Sequence, residues 1–171
     1  MVQRTNQGLL AILAQTKFFV SLVTLMLVLY TQSVHVVYFV VGSCSTAVLA
    51  KILKRYWQQP RPYGQDGYGM PSTHSQVIMF FATYFQCVGT NTMPWLVLIV
   101  SLFSLAVVWS RVQLKYHTLT QVLVGSVLGV LSALLWYTVW SLILHPMAIS
   151  LSIDSFDMKD DRIRRYIYVD K

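Results

Sequence analysis

The stretch Trp95–Trp109, WLVLIVSLFSLAVVW, holds no charge, and its only polar side chains between the two tryptophans are Ser101 and Ser104. It lies within a longer run: 44 residues separate Asp66 from Arg111 without a formal charge. Working outward, 33 such residues lie between Lys17 and Lys51, and 38 between Lys115 and Asp154. An apolar stretch of about 18 residues already reads as a membrane span. No soluble chain of 171 residues covers so many Leu-, Val- and Phe-rich runs. With 56% apolar and 11% charged residues, against roughly a quarter charged in a soluble domain, the chain reads as an all-α integral membrane protein.

Five spans of about 20 residues use roughly 100 of the chain's residues and leave little for a soluble module. The pattern places them at Leu9 to about Tyr30, about Val34 to Leu49, about Thr73 to Gly89, Trp95 to Trp109, and about Thr118 to Leu144. A transmembrane domain over residues 1–146 and a polar tail over 147–171 follow. No small-residue cleavage pattern follows Leu9–Ala14, so a cleaved signal peptide is not expected. Cys44 and Cys87 fall inside spans and read as small core residues, neither a disulfide nor a metal pair. Gly125 and Gly129 form a G-x-x-x-G pair suited to helix packing. Trp95, Trp109, Trp136 and Trp140 read as interfacial or packing aromatics, and His35 and His145 as structural.

Two polar connections, Lys51–Ser75 and Arg111–His117, remain. Pro60 and Pro62 forbid a regular helix around them in the first. Spans three and four leave one membrane face and return to it, so both connections meet there. With five spans the N-terminus shares that face and the tail does not.

Three stretches on that face carry the chemistry: Lys54-Arg55-Tyr56-Trp57-Gln58-Gln59-Pro60-Arg61-Pro62, then Pro71-Ser72-Thr73-His74, then Ser110-Arg111 through Lys115-Tyr116-His117. Lys and Arg donate charge-assisted hydrogen bonds to phosphate. Ser72 and the amides of Thr73 and His74 sit at a helix start, a favourable place for an anion. One imidazole can attack phosphorus while a second protonates the leaving oxygen. The net charge of +7 therefore fits an anionic substrate and membrane lipid better than nucleic acid, since most basic residues lie in short inter-span segments. The acids are too few and scattered for a metal site, and no cofactor is expected. Each stretch alone also fits a plainer role. Lys51, Lys54, Arg55 and Arg61 suit a basic flank, Ser72 suits a helix N-cap, and Arg111 and His117 suit a headgroup loop. Their joint spacing favours a site for all but Lys51 and Arg55. Tyr63, Tyr68 and Tyr116 border it, and Asp66 reads as a solvated loop acid.

K-x6-R-P, P-S-x-H and S-R-x5-H, in this order and at these intervals, resemble the type 2 phosphatidic-acid phosphatase (PAP2) superfamily, which includes lipid phosphate phosphatases and vanadium haloperoxidases. Gly67 to Gln76, Arg111, Lys115 to Thr118 and Gln121 resemble its dolichyl-diphosphatase branch. The resemblance covers roughly Val20 to Leu144. It implies a PAP2/haloperoxidase-like bundle with His117 as the nucleophile, His74 as the acid, and Lys54, Arg61, Ser72, Thr73 and Arg111 around the phosphate. Two positions depart from the superfamily pattern. Thr73 replaces the usual glycine, and Gln121 replaces the usual acid four residues after the nucleophile. One helical turn puts Gln121 on the face of His117, where its amide oxygen can fix the imidazole tautomer but cannot match a carboxylate.

By resemblance the substrate is a polyprenyl diphosphate, dolichyl above all, cleaved to monophosphate and inorganic phosphate without a metal. The implied site is the endoplasmic reticulum membrane, active site toward the lumen, in carrier-lipid recycling for protein N-glycosylation. Basic residues do not set that orientation. Without Lys54, Arg61 and Arg111, four remain on the site face (Arg4, Lys51, Arg55, Lys115) against five in the tail. A broader lipid phosphate phosphatase for phosphatidate or a sphingoid phosphate, a bacterial-type undecaprenyl-diphosphatase, and an inactive membrane scaffold remain as alternatives.

Overall fold

A computed structural model describes residues 16–31, 33–62 and 66–148, with side chains from Val20 onward. Five α-helices follow one another among the described residues: α1 (Thr16–Thr31), α2 (Val34–Trp57), α3 (Thr73–Gly89), α4 (Pro94–Gln113) and α5 (Leu119–Val139). Among the described residues there is no strand beyond an isolated bridge between Pro60 and Tyr68. Three helical stretches among the described residues, Val34–Trp57, Pro94–Gln113 and Leu119–Ala148, are long and apolar enough to cross a membrane. Helices α1 and α3 are shorter, at 16 and 17 residues. The start expected at Leu9 and the tail from Ile149 onward lie outside the described residues.

Two helices run further than apolarity alone suggests. Helix α2 continues past Leu49 to Trp57, and α4 continues past Trp109 to Gln113. Lys54 and Arg111 therefore stand on last helical turns, not in connections. The extensions have a common cause. Lys, Arg and Leu are good helix formers, and cations are favoured where the helix dipole leaves its negative end. Helix α2 stops only when Gln58 takes a left-handed conformation, φ 49°, and bonds its N–H to the Lys54 carbonyl. Pro60 then excludes helix at the preceding residue. The fifth span also continues, through a π-turn at Trp140–Leu144 in which the His145 N–H bonds the Trp140 carbonyl.

Polarity is distributed as in a lipid-solvated bundle. Leu29 is 67% exposed and Leu135 65%, whereas Ser75 and Gln76 are fully buried. With hydrocarbon outside, helices associate through small and hydrogen-bonding side chains, not through apolar burial. Cys44 is exposed and Cys87 half-buried, so neither is the core residue expected. Sitting within a span did not imply facing the interior, because most of each span faces lipid.

Consecutive helices pack pairwise from α1 to α4. Between α2 and α3, Phe39 meets Phe80, Phe81 and Tyr84, and His35 Nε2 lies 2.8 Å from the Tyr84 hydroxyl. Helix α5 joins through its G-x-x-x-G pair. A Cβ at Gly125 would stand 2.6 Å from the Ser72 carbonyl oxygen, and one at Gly129 would overlap the carbonyl oxygen of Gln76. The glycines therefore let α5 lie backbone to backbone on the first turn of α3. Further along, Trp136 Nε1 donates to the Tyr38 carbonyl, and the Tyr38 hydroxyl donates to that of Trp136, each at 3.0 Å. The chain divides after Trp136 into two units, and every residue of the site described next lies in the first.

Candidate active site

Helix α4 ends on Gln113, and Lys115 adopts a left-handed φ of 59°. The chain thereby folds back on its own last turn. The Arg111 carbonyl accepts from the Tyr116 N–H at 3.2 Å and the His117 N–H at 3.4 Å. Arg111 thus positions His117 through its backbone while its own guanidinium, also buried, lies 6.0 Å from the Tyr116 ring centroid.

Helix α5 begins with a reciprocal cap. The Gln121 N–H donates to Thr118 Oγ1, and the Thr118 N–H donates to Gln121 Oε1, both at 3.3 Å. This is a capping box, T-x-x-Q. The same Oε1 lies 3.2 Å from His117 Nδ1. An amide oxygen only accepts, so in the neutral ring Nδ1 carries the proton and Nε2 keeps its lone pair. The other end of the amide is held as firmly. Gln121 Nε2 donates to the Pro60 carbonyl at 3.0 Å and to Gln59 Oε1 at 3.4 Å. The Gln121 backbone carbonyl accepts from the Ser72 N–H at 3.0 Å. Gly69 closes the arrangement. Its N–H donates to the Gln59 carbonyl at 2.7 Å, and a Cβ there would stand 2.5 Å from both Gln121 Nε2 and Oε1. One fully buried side chain ties together the end of the α2 extension, the turn before α3 and the start of α5.

His117 is buried and its pKa is pushed down to about 4, first by loss of solvent and further by the charges of Lys54 and Arg61. Hydrogen bonds with Gln121 and the Gly69 backbone work against these effects and are outweighed. At neutral pH the imidazole is therefore uncharged, the form able to attack. Lys54 is half-buried on α2, and Arg61 follows the helix end with its Nε buried and without a hydrogen-bond partner. A buried donor of this kind, beside a second cation, is suited to an anion.

Ser72 is fully buried and is the N-cap of α3. Its Oγ accepts from the Ser75 hydroxyl at 3.0 Å and faces the Ser75 N–H at 3.5 Å, leaving its own proton to donate. The plainer capping role and an anion-binding role are compatible in one hydroxyl. Thr73 and His74 begin the helix, half-buried, and line an apolar cavity of about 660 Å³ walled by α1, α2 and α3. Among the sequence-predicted residues, then, Gln121 bonds His117, Lys54 and Arg61 act on it through their charge, Arg111 holds its backbone and Ser72 bonds the Gln121 carbonyl, while Thr73 and His74 line the cavity. Tyr68 and Tyr116 are exposed at the edge, and Tyr63 lies outside the described residues. Among the described residues no group of three or more His, Cys, Asp or Glu is placed to hold a metal.

Sequence reasoning missed Gln59, Pro60, Gly69 and Thr118. The capping box was legible as T-x-x-Q. The other three were not, because their contacts with Gln121 span 52 to 62 residues of chain.

The family model described as PAP2 superfamily matches residues 35–143. Lipid phosphate phosphatase epsilon 2, chloroplastic, of Arabidopsis thaliana is 37% identical over 126 residues, covering 67% of this chain and 43% of that protein. Dolichyldiphosphatase 1 of Mus musculus is 34% identical over 159 residues, covering 81% of this chain and 67% of that protein. The chain thus spans less than half of the first relative and about two thirds of the second. Among solved structures, the transmembrane PAP2-type phosphatidylglycerolphosphate phosphatase of Bacillus subtilis superposes with a TM-score of 0.66 at 20% identity. That match covers 83% of this chain and 78% of the other. It is a likeness of fold.

Proposed function

The chain belongs to the PAP2 superfamily, and from that premise we propose that it hydrolyses a polyprenyl diphosphate, dolichyl diphosphate above all, to the monophosphate and inorganic phosphate. The observation that carries the reading is the state of His117: buried, uncharged at neutral pH, with Nδ1 turned to Gln121 and two cations acting on it. Nε2 attacks the terminal phosphorus; a P–N bond forms and the bridging P–O bond breaks. Lys54, Arg61, Arg111 and the Ser72 hydroxyl hold the non-bridging oxygens as charge redistributes. His74 gives its proton to the departing lipid monophosphate. Water then attacks the phosphohistidine and gives a proton to His74; a P–O bond forms, the P–N bond to His117 breaks, and inorganic phosphate leaves. Gln121 holds the ring in one tautomer throughout. Its hydrogen bonds to Thr118, Pro60 and Gln59 explain why an amide stands there: a carboxylate would set negative charge against the Pro60 carbonyl and Gln59 Oε1.

The names of the dolichyldiphosphatase relatives support the diphosphate class, and with it an endoplasmic-reticulum location, a lumenal site and a role in recycling carrier lipid for N-glycosylation. The lipid phosphate phosphatase relative supports a broader monoester specificity as the second reading. Purified protein in detergent, given polyprenyl diphosphate and phosphatidate with and without chelator, tests both. The expected result is chelator-insensitive phosphate release, faster from the diphosphate, an acid-labile phosphoenzyme, and loss of both in His117→Ala. Faster release from phosphatidate favours the second reading. No release from folded wild-type protein favours a scaffold.

A further inference from the structure

Lys51 lies outside every motif named above. It sits one turn before Lys54 on α2, and it lines the cavity whose wall also holds Thr73 and His74. The rest of that wall is mainly apolar, including Val28, Val77 and Phe81. A cavity of about 660 Å³ lined in this way, with a few convergent polar groups, has the size and character of a lipid or small-molecule site. Lys51 is an exposed side chain at the edge of this cavity, and its charge is unexplained by pairing, since Asp66 is the sole acid among the described residues.

The leaving group separates the two substrate classes. When the terminal phosphorus of a lipid diphosphate is transferred to His117, the bridging oxygen departs on a lipid monophosphate that carries the remaining negative charge. When a lipid monoester reacts, the same oxygen departs on a neutral alcohol after protonation. A cation on the same cavity wall as the acid therefore assists the first and has nothing to neutralise in the second. Resting on the diphosphate reading above, we propose that Lys51 binds the lipid-side phosphoryl group of a diphosphate substrate and sets the preference for diphosphates over monoesters, with the first part of the lipid chain in the adjoining cavity. Atoms and charge balance without a further reactant: the lipid-side phosphate meets Lys51, its bridging oxygen takes the proton of His74, and the terminal phosphoryl stays on His117 until water removes it.

Binding is read separately from turnover, so that the two proposals fail separately. Full-length protein in detergent is titrated with a methylene-bridged prenyl diphosphate, which cannot be cleaved at the bridge, and with a prenyl phosphonate of the same chain. Lys51→Met is expected to weaken the bridged diphosphate about 10- to 100-fold, the range for a lost hydrogen bond to a charged group, and to leave the phosphonate within about twofold. Lys51→Arg is expected to restore most of the difference. Equal weakening of both ligands, or of neither, overturns the proposal and returns Lys51 to a membrane-flank role. Those outcomes hold whether or not the wild type hydrolyses polyprenyl diphosphate, which alone decides the functional reading. Where hydrolysis is seen, kcat/KM is expected to fall for the diphosphate and not for the monophosphate.

Discussion

On one side of the Ser72–His74 turn, polar groups are locked to one another. Gln121 alone engages His117, Thr118, Gln59, Pro60 and Ser72. On the other side Thr73 and His74 face an apolar cavity with one lysine in its wall. The contrast suits the roles proposed for the two sides. A phosphoryl group in transfer gains from charges and dipoles fixed in advance, so the first side is rigid and cationic. A lipid chain makes no directional demand, so the second side needs only apolar room and charge at its polar end.

The largest expected effect breaks the locked side outright. His117→Ala removes the proposed nucleophile and is expected to lower turnover by about 10⁴-fold or more, with no phosphoenzyme trapped by an alkaline quench. His74→Ala probes the open side. Its loss is expected to be roughly 10²- to 10⁴-fold for a lipid monoester, and smaller for a diphosphate, whose leaving phosphate is less basic than an alkoxide. Equal losses on the two substrates mean that His74 does not protonate the leaving group.

Gln121→Ala sharpens the comparison by unlocking one side without touching phosphate. A fall of about tenfold or more in kcat, with KM little changed, is expected. Turnover at the wild-type rate removes Gln121 from the mechanism. The pH profile adds an independent reading. The nucleophile must be neutral, and its pKa is lowered from 6.5 to about 4. The acid limb of kcat/KM is therefore expected near pH 4, with activity lost as pH falls through it. Gln121→Ala removes a bond that favours the protonated ring, so the limb does not rise. Arg61→Ala removes a repelling charge, so the limb moves to higher pH.

The smallest effect on the folded enzyme is expected from the packing beneath both sides. Gly125→Ala sets a Cβ against the Ser72 carbonyl and is expected to destabilise the bundle by about 1–3 kcal/mol, read as a lower unfolding midpoint in detergent. An unchanged midpoint means that α5 can withdraw without cost.

Much of this protein was legible before any coordinates. Uncharged runs of 33, 44 and 38 residues leave hydrocarbon as the only adequate solvent, and a chain in hydrocarbon must satisfy its backbone within helices or a closed barrel. The residues proposed to hold phosphate were legible too, because few side chain types bind or attack phosphorus. Legibility failed where the deciding term was a long-range contact or an orientation. Apolarity located the spans but not which way Cys44 faces, nor that α2 and α4 carry Lys54 and Arg111 on their last turns. Local composition showed Gln121 one turn from His117. Only the tertiary structure showed that its amide is held at both ends by segments from elsewhere in the chain. A residue's type is a local property, whereas its partners are set by which helices meet, and that is decided by glycine-permitted backbone contacts distant in sequence.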